Sequence, residues 1–168
     1  VTVTATATEN MSTLTTSNSY TEGNPGYAAP TASVNSIGYE TTATVTATTP
    51  SGAYTFTGWT LTNCTRTDGG ADNATSITVR SNGDGLEATV TANYEKIPSK
   101  TVYFRPKTGW KDNNPVIICD GNPTAVTSYD CAGEYYTAEV PGGTTELKFG
   151  GNNEQTLPLT VPADTKVL

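Results

Sequence analysis

The sequence predicts an all-β chain built as two small β domains in tandem, and three observations carry that expectation. First, 35 of the 168 residues are threonine, a β-branched residue that packs well on a pleated surface and loses rotamer freedom in a helix. Second, apolar residues recur with period two in several segments, the signature of strands with one face on a core and one in water. Third, the 16 glycines and 10 prolines are spread along the chain as turn punctuation between those segments, and runs of good helix formers are missing.

The elements follow in order. VTVTATAT (1–8) alternates strictly, with Val1, Val3, Ala5 and Ala7 on one face. The polar segment 17–30, with two prolines and two glycines, reads as a loop. TTATVTAT (41–48) places Ala43, Val45 and Ala47 inward, and LEATVTANY (86–94) does the same with Leu86, Ala88, Val90, Ala92 and Tyr94. AYTFTGWTL (53–61) and SITVR (76–80) are strands between them. SNGDGL (81–86) carries Asn-Gly and Asp-Gly, which predict a hairpin. Phe56 and Trp59 are read as core, because a large aromatic is needed where Leu and Ile are scarce. Tyr20 and Tyr27 flank a Gly/Pro loop and are a candidate accessory aromatic platform.

EKIPSK (95–100) is a short, Pro-containing boundary, so the expected domains are residues 1–97 and 98–168. Its shortness predicts two domains held at a fixed angle. Beyond it, TVYFR (101–105), PVIIC (115–119), EYYTAEV (134–140), TELKF (145–149) and LPLTV (157–161) read as strands, with turns at 120–123, 141–143 and 150–153. Several short strands separated by turns point to sandwiches rather than to a parallel sheet.

Composition narrows the function. The net charge of −7 and a pI near 4.4 repel nucleic acid and anionic membrane. No segment approaches the roughly 20 apolar residues of a membrane span. The absence of His removes the commonest general base and metal ligand, and no nucleophile elbow, phosphate cradle or spaced carboxylate pair stands out, so no catalytic residue, metal or cofactor is expected. The acidic stretch 68–73 clusters oxygen ligands without the spacing of a calcium loop and reads as a solvated turn. Cys64, Cys119 and Cys131 match no zinc pattern. Cys119 and Cys131 either cross-link neighbouring strands or stay as buried thiols. The abrupt, strand-like start suggests a monomeric fragment of a longer, secreted or cell-surface protein whose signal and anchor lie elsewhere.

Two resemblances sharpen this reading. GYETTATVTATTPSGAYTFTGWTL and EATVTANYE, over about residues 37–96, resemble the divergent internalin-type B repeat of bacterial surface proteins, a small Ig- or β-grasp-like spacer. TVYFRPKTGW and GEYYTAEVPGGTTELKFGGNNEQTLPLTVP, over about residues 101–162, resemble a family 26 starch-binding carbohydrate module, which implies a β-sandwich that holds α-glucans through surface aromatics. The chain departs from that family at its second strand. There, PVIICDG replaces the usual Tyr-x-Tyr or Tyr-x-Trp, and the following loop is shortened to NPTAVTSY.

Sugar recognition needs an exposed aromatic plane beside hydroxyl-seeking polar groups. Trp110, in the polar loop KTGWKDNN with Lys111 beside it, either stacks on sugar or plugs one end of the sandwich. Strand parity turns Tyr136, Ala138 and Val140 inward and Tyr135 outward, and turns Tyr103 outward beside inward Val102. Tyr129, in the shortened loop, is a further candidate. Asn152 and Gln155 are polar contacts by resemblance, though GGNN is also ordinary turn chemistry. The expected function is therefore a non-catalytic module that binds starch or another α-glucan. The alternative is a structural spacer or adhesion module without glycan binding, which the aliphatic second strand favours.

Overall fold

The computed structural model describes residues 2–4, 8–83, 85–106, 108, 115–125, 127–129, 135–151 and 154–161, with backbone alone for 124, 125 and 127–129. The chain is all-β, and no helix occurs among the described residues. Its contacts define two compact units: Val1–Pro50 with Thr55–Lys96, and Ser51–Tyr54 with Ile97–Leu168. The short segment Ser51–Tyr54 thus belongs to the second unit, where the Ala53 carbonyl accepts the Ile97 N–H at 2.7 Å.

The first unit contains β1 (Ser12–Tyr20), β2 (Thr31–Ala32), β3 (Ser36–Ile37), β4 (Thr42–Thr46), β5 (Tyr54–Thr62, from Thr55 onward), β6 (Cys64–Arg66), β7 (Ser76–Ser81) and β8 (Ala88–Lys96). They form two four-stranded sheets, ordered β3-β1-β8-β5 and β2-β4-β7-β6. One core cluster draws Leu14, Ala88 and Val90 from the first sheet and Ala43, Val45, Cys64, Ile77 and Val79 from the second. The small alternating residues predicted inward in 41–48 and 88–94 are all buried, because period two puts them on one face of each strand.

Several expectations are corrected. The described part of residues 1–8 is not strand, and β1 begins at Ser12 instead, running through Tyr20 into the segment read as loop. Beyond Leu14, β1 has little apolar content. What holds it is a parallel ladder with β8, from Leu14↔Ala88 to Tyr20↔Tyr94, reinforced by hydroxyl pairs Thr15–Thr89 at 3.1 Å and Ser17–Thr91 at 2.9 Å. A strand held by its neighbour's backbone and by polar cross-strand pairs leaves no hydrophobic period to read.

The Gly-rich segment 81–86 is not a hairpin either, because β7 and β8 lie in different sheets. Gly83 and Gly85 do adopt positive φ (87° and 71°), but the turn carries the chain from one layer to the other. Leu86 consequently falls outside β8 and is exposed. A second layer change occurs at Asn63, whose φ of 54° lets β5 end and β6 begin in the opposite sheet. Asn tolerates this region, and its side-chain Nδ2 donates to the Glu87 carbonyl at 2.9 Å.

The second unit contains β9 (Lys100–Phe104), β10 (Val116–Cys119), β11 (Asn122–Ala125), β12 (Thr127–Tyr129), β13 (Tyr135–Val140), β14 (Glu146–Gly151), β15 (Glu154–Gln155) and β16 (Leu159–Thr160). One sheet runs β11-β10-β14-β15, with β16 also on β14, and the other is β12-β13-β9. Val102, Phe104, Ala138 and Val140 from the three-stranded sheet meet Ile117, Cys119 and Leu147 from the five-stranded one in a single core. The segment NPTAVTSY, read as a loop, supplies β11 and β12. Asp120-Gly121 turns β10 directly into β11 through a two-residue hairpin, both residues at positive φ (46° and 83°). In LPLTV only Leu159–Thr160 is strand, and Leu157 is exposed.

Candidate functional site

The outward face of the three-stranded sheet carries the aromatics that parity selects. β9 and β13 pair antiparallel with Tyr103 opposite Thr137 and Phe104 opposite Tyr136. Tyr135 is two residues before Thr137, so it sits diagonally across from Tyr103 on the same face. Both rings reach solvent: Tyr103 is 50% exposed and Tyr135 is 42% exposed. On the inner side, Phe104 lies 5.9 Å from the Tyr136 ring and 4.9 Å from the Phe149 ring. That aromatic packing anchors the two strands from beneath.

Polar groups border the tyrosines. The carboxylate of Glu139 accepts from Thr101 Oγ1 at 2.6 Å and from Ser99 Oγ at 3.1 Å. These bonds tie the start of β9 to β13 and fix a hydroxyl-carboxylate edge beside Tyr103. On the other flank, β12 pairs with β13 so that Tyr129 is the register partner of Tyr135. Three tyrosines therefore occupy neighbouring positions across β12-β13-β9.

The one remaining candidate among the described residues does not join this face. Gln155 is exposed on β15, opposite Gly150 at the edge of the five-stranded sheet. Trp110, Lys111 and Asn152 lie outside the described residues, as does Cys131. Cys119 is buried in the core. β10, the strand that resembles the family's platform strand, has Ile117, Ile118 and Cys119 all buried, so it offers no stacking surface.

In the first unit, Tyr20 and Tyr27 are not a free platform. They pack on buried Tyr94, with ring centroids 5.6 Å and 5.3 Å away, and Phe56 closes the cluster at 5.6 Å. Tyr94 donates its hydroxyl to the Thr48 carbonyl at 2.8 Å, and burial raises its pKa. Trp59 packs against the core with Leu61 and donates Nε1–H to the Ala74 carbonyl at 2.7 Å. An exposed aromatic that the sequence reading missed is Tyr39, whose ring is covered on one side by the Arg80 guanidinium at 4.3 Å. Only the two-strand separation of a Tyr and an Arg by some 40 residues signals that pair, and one sequence cannot show it.

The acidic stretch 68–73 is a structured turn. Asp68 accepts from Arg66, from Gly70 N at 3.2 Å and from Thr78 N at 3.0 Å. The Arg66 hydrogen bond, with the backbone donors, holds its carboxyl below the ordinary value. No group of three His, Cys, Asp or Glu side chains suited to a metal occurs among the described residues. Cys64 is buried with its thiol near the Thr89 carbonyl at 3.7 Å, and burial pushes its pKa up, away from the reactive thiolate. No helix among the described residues is long and apolar enough to cross a membrane.

No protein-family model matches this chain, and neither does any curated protein or any solved structure.

Proposed function

We propose that the chain is a non-catalytic carbohydrate-binding module of an extracellular or cell-surface protein, and that it holds an α-glucan against the Tyr103–Tyr135 face. The observation that carries this reading is the pair of exposed tyrosines on adjacent strands of one rigid sheet, bordered by the Glu139, Thr101 and Ser99 oxygens. Weak polysaccharide sites depend on stacking planes held at fixed spacing, with polar groups reaching the hydroxyl rim. The preference for α-glucan rests on the resemblance over residues 101–162 to starch-binding modules. Trp110 and Lys111, from their polar loop, and Asn152 and Gln155, from the resemblance, are the further contacts of this reading.

Affinity electrophoresis in amylopectin tests it. Tyr103→Ala and Tyr135→Ala should each weaken retardation, and the double variant should abolish it, with the thermal transition unchanged because both rings point away from the core. Each ring is expected to contribute about 1.4 kcal/mol, a tenfold change in affinity. Unretarded wild-type protein would sink the reading. It would favour the spacer alternative, which β10, without an aromatic and with Ile117, Ile118 and Cys119 buried, supports.

A further inference from the structure

The first unit holds a groove of about 420 Å³ lined by Thr57, Trp59, Leu61, Arg66, Asp72 and Asn93. That volume is within the roughly 300–1,000 Å³ typical of small-ligand sites. Its wall is the turn 66–74, and that wall is fixed by named bonds. Arg66 is paired through Nε to Asp68 and donates Nη1 to the Ala71 carbonyl at 2.8 Å, and Trp59 Nε1 binds the Ala74 carbonyl. The turn also seats closely on β5: a Cβ at Gly58, where φ is 138°, would stand 3.0 Å from the Asp72 carbonyl oxygen. A site built this way loses little entropy when a ligand enters.

Its chemistry divides into an apolar part and a hydroxyl-binding part. The Trp59 N–H is already committed to Ala74, so the ring offers the groove carbon surface, extended by Leu61. Asp72 is exposed, and its carboxylate has no partner among the described residues. Asn93 spends Nδ2 on Thr60 Oγ1 at 2.9 Å, which leaves its side-chain oxygen to accept. Arg66 keeps Nη2 buried without a hydrogen-bond partner, an unsatisfied donor in a residue of the wall. Asp68 neutralises Arg66, Asp72 is uncompensated, and the chain carries −7 overall, so an anionic ligand is repelled.

We propose that this groove is a separate binding site for a neutral hexose ring, with Trp59 and Leu61 as the apolar floor and Asp72 and Asn93 accepting hydroxyl protons. The site lies wholly in the first unit and does not depend on the tyrosine face of the second.

The test is a titration of the nitrogen-15-labelled 168-residue chain with maltotriose, cellotriose and mannotriose in turn, at millimolar concentration. At least one should shift both the Trp59 indole N–H and the Asn93 side-chain amide resonances. Asp72→Ala, which removes an exposed side chain with no hydrogen-bond or ion-pair partner among the described residues, should weaken that binding at least tenfold while leaving the rest of the spectrum in place. The Tyr103→Ala/Tyr135→Ala double variant should leave it unchanged, so failure of the tyrosine face and failure of this groove are told apart. Silence of both resonances toward all three sugars overturns the proposal, as does full binding by Asp72→Ala or loss of binding in the double tyrosine variant.

Discussion

Asp120 shows how a single side chain fixes a turn. Its φ of 46° lies in the left-handed region that Asp adopts more readily than most residues. Its carboxylate then reaches across the strand end to accept from Thr145 Oγ1 at 2.9 Å, Glu146 N at 2.9 Å and Thr145 N at 3.1 Å. Burial pushes its pKa up, but these bonds outweigh it and hold the carboxyl below the ordinary 3.8. Because the folded-state value is depressed, the stabilisation is fully present above the unfolded value and is lost as pH falls through the folded one. Asp120→Ala should therefore cost about 1 kcal/mol at neutral pH, a figure discounted for its exposure. The deficit relative to wild type should shrink in urea melts taken progressively below pH 4. A deficit constant down to pH 2 would mean that the turn conformation, not the charge, is what the substitution removes. The sequence announced a turn at Asp-Gly but not this network, since Thr145 and Glu146 lie 25 and 26 residues away.

At the scale of the element, β5 is the most informative strand. Trp59 and Leu61 are half-buried against the core, and the Phe56 and Trp59 rings pack 5.3 Å apart. Strict alternation would put Phe56 and Trp59 on opposite faces. The phase of exposed and half-buried residues changes around Gly58, whose φ of 138° departs from extended backbone. A glycine at positive φ inside a strand re-aims the side chains on either side of it. Gly58→Ala should be among the most damaging single substitutions in the first unit, by about 2 kcal/mol or more. It combines a φ that side-chain-bearing residues avoid with a clash against the Asp72 carbonyl. Thermal denaturation checks this, and a variant as stable as wild type would show that the backbone relaxes freely there. Elements with a pure period of two, such as β4, β8 and β13, are legible in which residues face inward, with ends that differ by one or two residues. β1 is not, because hydroxyl pairs rather than apolar side chains hold it, and β11 and β12 are not, because Pro and Thr carry no period. Of the candidate site, parity alone turned Tyr103 and Tyr135 outward, whereas their adjacency depends on the β9–β13 register.

For the whole molecule, charge separates the classes of partner. The chain carries 16 acidic and 9 basic side chains with no His, so its net negative charge disfavours polyanions at neutral pH. Ligands bound through charge release counterions and lose affinity steeply as salt rises. A neutral polysaccharide has no such atmosphere, and the groups proposed to hold it, Tyr103, Tyr135 and the Thr101–Glu139 edge, bind through stacking and short-range hydrogen bonds that salt does not screen. Amylopectin affinity should therefore stay within about twofold while sodium chloride rises from about 50 to 500 mM, a range over which several phosphate-type contacts would be lost many-fold. The same gels used for the tyrosine variants measure it. A slight gain is also consistent, because salt strengthens apolar burial and relieves self-repulsion of the −7 chain. A steep decline with salt would instead assign the retention to a charged contaminant or a charged partner, and would remove the stacking face as its cause even if Tyr103→Ala and Tyr135→Ala also weakened it.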